Sequence, residues 1–115
     1  MAVLGDKMHT TATLLSFANP PAGTDPAPIA LGCIESGLDK IGIPGPHQPS
    51  DLIDFGAIDE DSCVDFAQAV EICIGENGFF VPSLAGSFVL LHEKGTAITV
   101  ANLASAIAVL MKPKA

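Results

Sequence analysis

The chain contains no tryptophan, no tyrosine and no arginine. These three residue types dominate the binding hot spots of protein interfaces, because each combines a large contact area with a polar group. Their absence disfavours an adhesive surface of the kind that holds small molecules or that antibodies use. Extended interfaces built from backbone and aliphatic contacts remain compatible with this composition.

Positive charge is also scarce, because 5 lysines face 13 acidic residues and leave a net charge of −8. Gripping the phosphates of DNA or RNA needs clustered cations, so no sequence-specific nucleic-acid binding is expected. Residues 51–76 hold eight acids and no base. An acidic wall would let a polyanion slide past it, although solubility is the simpler interpretation. The candidates for an acidic surface or lumen are Asp51, Asp54, Asp59, Glu60 and Asp61.

Cysteine is limited to Cys33, Cys63 and Cys73. An odd count at wide spacing does not predict a disulfide framework, and it favours free, buried thiols in a protein made in the cytosol. Long apolar runs are missing too. The nearest, Ala97–Met111, is shorter than the ~18–20 residues of a membrane span, and Thr10–Ala18 is too weakly apolar for a secretion signal. We therefore expect no membrane partner.

What the chain does contain is apolar material for a core. Hydrophobic residues make up 49% of the 115 positions and charged residues 16%. This length fits one domain, and disorder is disfavoured. A charge content this low suggests that some apolar surface is buried between subunits.

The expected organisation is an arm followed by one domain. Residues 1–28 form the arm, because four prolines within Asn19–Pro28 exclude a helix and a central strand. Residues 29–115 form a single β-rich globular domain. The predicted strands are Ile29–Ile34, Leu52–Ile58, Phe79–Val81 and a hairpin of Ser87–Leu91 with Thr96–Val100.

Two segments are ambiguous between helix and strand. Residues 62–74 alternate apolar and polar positions and favour a strand, although Ser62–Asp65 could be a capping box that opens a helix. The segment Ala101–Lys112 has the propensity and apolar spacing of a helix. The sequence thus predicts a mainly β fold, a β-sandwich or barrel with one flanking helix and an extended N-terminal arm, with an α+β fold as the alternative.

Candidate catalytic residues are few. Cys63 or Cys73 could act with His47 or His92 as a nucleophile and base. However, no local motif supports such a pair, and no basic residue near either cysteine in the sequence would lower its pKa. Inert core thiols are therefore favoured, and we predict no catalytic residues and no enzyme activity.

Metal and cofactor sites are not predicted either. The acids at 54 and 59–61 lack the alternating spacing of an EF-hand loop, so a solvated acidic turn is favoured over a Ca²⁺ or Mg²⁺ site. No C-x₂-C or H-x₃-H spacing supports zinc. The loops Gly42–Gly45 and Gly75–Gly78 match no phosphate-binding motif and are interpreted as turns.

The order of several segments resembles the tail-tube proteins of long-tailed bacteriophages. These segments are Thr13–Phe17, Ile29–Ser36, Ile43–Pro46, Asp51–Asp59 and Ala104–Pro113. The pair Ile53–Asp54 matches an Ile-Asp pair of the family, whereas the expected Thr is absent because Gly56 and Ala57 follow Phe55. The match covers residues 11–61 and 96–113, and the chain is short for the family.

The resemblance implies a β-sandwich or barrel whose subunits form rings, such as hexamers, that stack into a tube. It also implies a closing strand at Ala104–Met111, where propensity predicts a helix. The expected function is a self-assembling structural subunit of a virion, made in the host cytoplasm, with copies of itself and other virion proteins as partners. Three alternatives remain: a virion decoration or head–tail joining protein, a small-molecule-binding module, and a cysteine-dependent accessory enzyme.

Overall fold

Helices make up most of residues 26–43 and 45–114, which are the residues that this computed structural model describes. In chain order the helices are α1 (Ala27–Lys40), α2 (Glu60–Glu76), α3 (Ala85–Glu93) and α4 (Val100–Leu110). The strands are β1 (Leu52–Asp54), β2 (Phe79–Phe80), β3 (Ala97–Thr99) and β4 (Lys112–Pro113). Among the described residues these strands form only two two-stranded sheets, so the predicted β-sandwich or barrel is wrong.

The first predicted strand, Ile29–Ile34, lies inside α1. The buried residues of this helix recur at spacings of three and four, which is the period of a helix with one face on the core. They are Ala30, Cys33, Ile34, Gly37 and Leu38. Residues 1–25 of the predicted N-terminal arm lie outside the described residues, and α1 already begins at Ala27.

The segment 62–74, for which a strand was favoured, lies inside α2. Its alternation of apolar positions was misleading, because Ile72, which the strand pattern assigned to the buried face, is 62% exposed. The residues that are buried again follow helical spacing: Cys63, Phe66, Ala67, Val70 and Ile74. The helix begins earlier than the predicted capping box, because Asp59 caps it by accepting a hydrogen bond from the Ser62 backbone N–H.

The predicted hairpin is also wrong. Its first arm, Ser87–Leu91, belongs to α3, and the residues Ala97–Thr99 of its second arm form β3. The helix predicted for Ala101–Lys112 is confirmed as α4, and the strand that the tail-tube resemblance implied there is absent. The strand predicted at Phe79–Val81 is present as β2 and pairs with β4.

The fold consists of two helix–loop–helix units, α1 with α2 and α3 with α4, joined through their loops. Strand β1 lies in the first loop and pairs antiparallel with β3 in the second, with Ile53 opposite Ile98. Only the first three residues of the predicted strand Leu52–Ile58 belong to a strand, because Phe55–Ala57 form a 3₁₀ turn. The two loops approach closely: a Cβ on Gly56 would lie 2.8 Å from the Gly95 Cα atom.

The core lies between the helices. Helix α1 packs against α2 and α4, and α2 also packs against α3. At the centre the rings of Phe55, Phe66 and Phe88 are fully buried and lie with centroids 5.2–6.0 Å apart. No helix within the described part of the chain has the length and apolar character that a membrane span requires.

Candidate functional site

An apolar cleft lies beside the loop that connects α1 to β1. We call it the loop cleft, and its volume is about 220 Å³. Six of its lining residues are apolar, and His47 and Asp54 are the polar ones. The described residues that line it are Leu38, Ile43, His47, Leu52, Ile53, Asp54, Ala57 and Ile58.

Two apolar side chains of the loop cleft are exposed to solvent. Leu52 is 66% exposed and Ile43 is 38% exposed, whereas Ile53 is buried. Successive side chains of a strand point to opposite faces, so burial of Ile53 in the core turns Leu52 outward. The loop cleft therefore has a buried floor and an apolar rim that is open to solvent.

Glu35 of α1 holds the loop that carries His47. The carboxylate Oε1 lies 2.5 Å from His47 Nδ1, and Oε2 accepts a hydrogen bond of 3.3 Å from the His47 backbone N–H. The imidazole is half-buried, with 13% of the side chain exposed. A carboxylate that orients a histidine in this way is common where the imidazole acts as a base.

The described lining of the loop cleft offers His47 no nucleophilic side chain. Among residues 26–43 and 45–114, those that line the cleft include no serine, threonine, cysteine, tyrosine or lysine. Nucleophilic catalysis needs such a group within hydrogen-bond reach of the base. The arrangement is therefore suited to binding an apolar group next to a fixed imidazole.

The five acidic candidates are all exposed, and three of them stabilise turns and helix starts. Asp51 Oδ2 accepts a hydrogen bond of 2.8 Å from the Gln48 backbone N–H. Asp54 Oδ1 accepts one of 3.1 Å from the Gly56 backbone N–H. Such local hydrogen bonds to the backbone give Asp51 and Asp54 a role in shaping the loop.

Asp59, Glu60 and Asp61 mark the beginning of α2. Asp59 accepts hydrogen bonds from the Ser62 hydroxyl at 2.8 Å and from the Ser62 backbone N–H at 3.2 Å, and these hydrogen bonds lower the pKa of Asp59. Glu60 and Asp61 lie in the first turn, where negative charge interacts favourably with the helix dipole. Their clustering thus reflects helix capping.

Neither loop has the ligand spacing of an EF-hand calcium site. EF-hands also place a loop between two helices, and their loop supplies oxygen ligands at alternating positions with a bidentate Glu at the twelfth. The second loop, residues 94–99, contains no acid. Within residues 26–43 and 45–114, no three His, Cys, Asp or Glu residues are grouped so that they could hold a metal ion.

Among the described residues, no hydrogen bond joins Cys63 or Cys73 to His47 or His92. Cys63 is buried, and its thiol lies 3.8 Å from the Ile58 carbonyl oxygen, to which it donates. Burial, with smaller contributions from the charges of Asp59 and Glu60, raises the pKa of Cys63 to about 11. The two histidines have other partners: His47 bonds Glu35, and His92 Nδ1 lies 2.9 Å from the Phe55 carbonyl oxygen.

Sequence reasoning missed the loop cleft and the pair of Glu35 with His47. A loop segment rich in glycine and proline separates these two residues in the sequence. Neither helical nor strand spacing therefore places them next to each other. The exposed Leu52 was visible only as one member of an apolar strand. Comparison of the chain with protein-family models, with curated proteins and with solved structures gives no match.

Proposed function

We propose that the protein is a non-catalytic subunit that works by binding another protein chain. In this proposal the loop cleft receives an apolar side chain from a partner segment that also carries lysine or arginine. The observation that carries it is the exposed apolar rim of Ile43 and Leu52 around an apolar cleft with no nucleophile. Exposed apolar side chains next to a cavity are typical of interaction sites.

The charge around the loop cleft supports a basic partner. Asp51 and Asp54 flank Leu52 in the sequence, and Asp59, Glu60 and Asp61 follow directly after Ile58 of the lining. No lysine lies between Lys40 and Lys94. Complementary charge speeds the encounter of two proteins and disfavours partners of like charge. A segment with apolar anchors and basic flanks meets both requirements of this surface.

The size of the loop cleft favours a single side chain of a partner protein as its occupant, rather than a drug-sized ligand. Sites for such ligands usually enclose ~300–1,000 Å³ and place several polar groups around the ligand. At about 220 Å³, with two polar lining residues, the loop cleft is smaller and simpler. One leucine or phenylalanine from a partner helix is the occupant that we expect.

The first test measures binding of a synthetic amphipathic peptide made of leucine and lysine at helical spacing. We expect fluorescence anisotropy to show binding of this peptide and little binding of a matched leucine–glutamate peptide. The variant Leu52→Ser should weaken binding at least about tenfold, because it removes the apolar rim. Phe80→Ser is the matched control, since Phe80 is 59% exposed and lies outside the loop cleft.

Two outcomes of this experiment would count against the proposal. Equal affinity for the lysine and glutamate peptides would remove the role of charge. If Leu52→Ser and Phe80→Ser weakened peptide binding equally, the loop cleft would not be the contact surface. The same conclusion would follow if neither variant weakened binding. Circular dichroism of each variant confirms that a change in binding is not a loss of fold.

Self-assembly is a second candidate function. The virion subunit expected from the tail-tube resemblance stays a prediction, and the helical fold removes the barrel through which that resemblance would have built a tube. Ile72 and Phe80, which are 62% and 59% exposed, offer apolar contact surface outside the loop cleft. Copies that pack through such side chains would bury them.

Light scattering after size exclusion tests self-assembly of the full chain. We expect a discrete oligomer that dissociates when Ile72 and Phe80 are both changed to serine, because their burial between copies stabilises the contact. A single species near 11.7 kDa at high concentration would contradict self-assembly. That result would not contradict the first proposal, in which the loop cleft binds a basic segment of a different protein.

A further inference from the structure

Two thiols meet at the interface between α1 and α2. Cys33 of α1 is completely buried, and Cys73 of α2 is half-buried. The Asn77 side-chain amide connects them, because its Nδ2 atom lies 4.0 Å from Cys33 Sγ and 3.8 Å from Cys73 Sγ. The same Nδ2 donates a hydrogen bond of 2.8 Å to the Cys73 carbonyl oxygen, which fixes the amide in place.

The register of the two helices explains this meeting. Gly37 of α1 lies directly against Phe66 and Val70 of α2. One turn towards the beginning of α1 from Gly37 is Cys33, and about one turn towards the end of α2 from Val70 is Cys73. The helices therefore run antiparallel, and the missing side chain at Gly37 brings them close enough for the sulfurs to be neighbours.

The two thiols differ in how easily a reagent reaches them. Burial, followed by the contact with the Cys73 thiol, raises the pKa of Cys33 to about 12. A raised pKa slows the reaction of a thiol with peroxide, so Cys33 is not the thiol that is oxidised first. Cys73 is partly open to solvent and is the thiol that a small oxidant meets first. Cys63 is buried elsewhere in the core and donates to the Ile58 carbonyl.

We propose that Cys33 and Cys73 form an oxidation site at which a peroxide closes a disulfide between α1 and α2. First, the Cys73 sulfur attacks one peroxide oxygen, the O–O bond breaks, and a sulfenic acid and one water molecule form. The Cys33 sulfur then attacks the Cys73 sulfur, the S–O bond breaks, and the leaving hydroxide takes the Cys33 proton as a second water. Two thiols are oxidised to one disulfide, and one peroxide is reduced to two water molecules.

The disulfide would connect α1, which contributes Leu38 to the loop cleft, with α2. A crosslink that closes a long loop restricts the unfolded chain, and it typically stabilises the folded state. For a chain of this size we expect a rise in Tm of about 10 °C on oxidation. This inference rests on the thiol geometry alone and does not depend on the proposed partner.

The experiment treats the full chain with hydrogen peroxide until thiol loss stops. We expect intact mass spectrometry to show a loss of about 2 Da, thiol titration to find one remaining thiol, and peptide mapping to link Cys33 with Cys73. Dithiothreitol should restore the original mass and Tm. The variant Cys63→Ser is the matched control and should form the disulfide as the unchanged protein does.

The variant Cys73→Ser should form no intrachain disulfide. A gain in mass from added oxygen without the loss of about 2 Da would overturn the proposal, as would a disulfide between two chains. A linked peptide that contains Cys63 would overturn it as well. Thermal unfolding of reduced Cys73→Ser, followed by circular dichroism, shows whether the variant is folded before it is oxidised.

Discussion

Replacing Phe88 with alanine is expected to lower the free energy of unfolding by about 4 kcal/mol. Phe88 is completely buried, and its ring lies 5.2 Å from the ring centroids of both Phe55 and Phe66. These three rings come from α3, the 3₁₀ turn and α2, so the side chain connects both helix–loop–helix units. Truncation would remove aromatic contacts and leave a cavity that rigid neighbours cannot fill.

The matched control for this change is Phe80→Ala. Phe80 is 59% exposed, and the Lys114 ammonium lies 5.5 Å from its ring centroid. An exposed contact of this kind contributes roughly 0.5–1 kcal/mol, so the control should change stability little. The chain has no tryptophan or tyrosine, and urea unfolding is best followed by far-ultraviolet circular dichroism. Equal losses for the two variants would contradict the central position of the phenylalanine cluster.

Helix α4 shows what the sequence could predict. Leu103, Ile107 and Leu110 lie at helical spacing in a segment rich in alanine, and the segment folds as predicted. Local propensity and the apolar pattern agree here, so no distant contact is needed to choose the structure. The turn predicted at Gly75–Gly78 is present only at its end, because Gly75 and Glu76 belong to α2, whereas Gly78 adopts a positive φ of 86°.

Helix α2 shows why the rest of the fold was mispredicted. Its segment satisfies two patterns at once, because Phe66, Val70 and Ile74 belong both to one strand face and to one helix face. Val64 and Ile72 belong only to the strand face, and Ile72 is exposed. Burial against α1 and α3 decides between the patterns, and that burial depends on residues far away in the sequence.

The loop cleft could not be predicted because its parts meet through tertiary contacts. The pairing of β1 with β3 places Leu52 opposite Thr99, and the Val100 backbone N–H donates to the Asp51 carbonyl oxygen at 2.9 Å. The hydrogen bond between Glu35 and His47 joins α1 to the loop that follows it, across a segment rich in glycine and proline. In contrast, the acidic residues were recognised from the sequence, and Asp51, Asp54 and Asp59 accept hydrogen bonds from nearby backbone N–H groups.

The close approach of α1 and α2 leads to the second large expected effect, that of Gly37→Ala. A Cβ at Gly37 would lie 2.5 Å and 2.7 Å from two ring carbons of Phe66, and 3.0 Å from a Val70 methyl group. The Phe66 ring is completely buried in the phenylalanine cluster, so it cannot move aside without disturbing the core. Overpacking of this kind costs ~1–3 kcal/mol, and about 1 kcal/mol of helix propensity is gained in return.

We therefore expect Gly37→Ala to lower the free energy of unfolding by up to about 2 kcal/mol. Gly32→Ala is the matched control in the same helix, because within residues 26–43 and 45–114 no atom beyond the neighbouring helix backbone lies within 4 Å of the position that its Cβ would take. This second variant should raise stability by ~0.5–1 kcal/mol through helix propensity alone. Urea unfolding should therefore show opposite signs for the two changes in free energy of unfolding, a loss for Gly37→Ala and a gain for Gly32→Ala. If both variants were stabilised, α1 and α2 could not approach as closely as the contact at Gly37 requires, and the thiols of Cys33 and Cys73 would lose their common register.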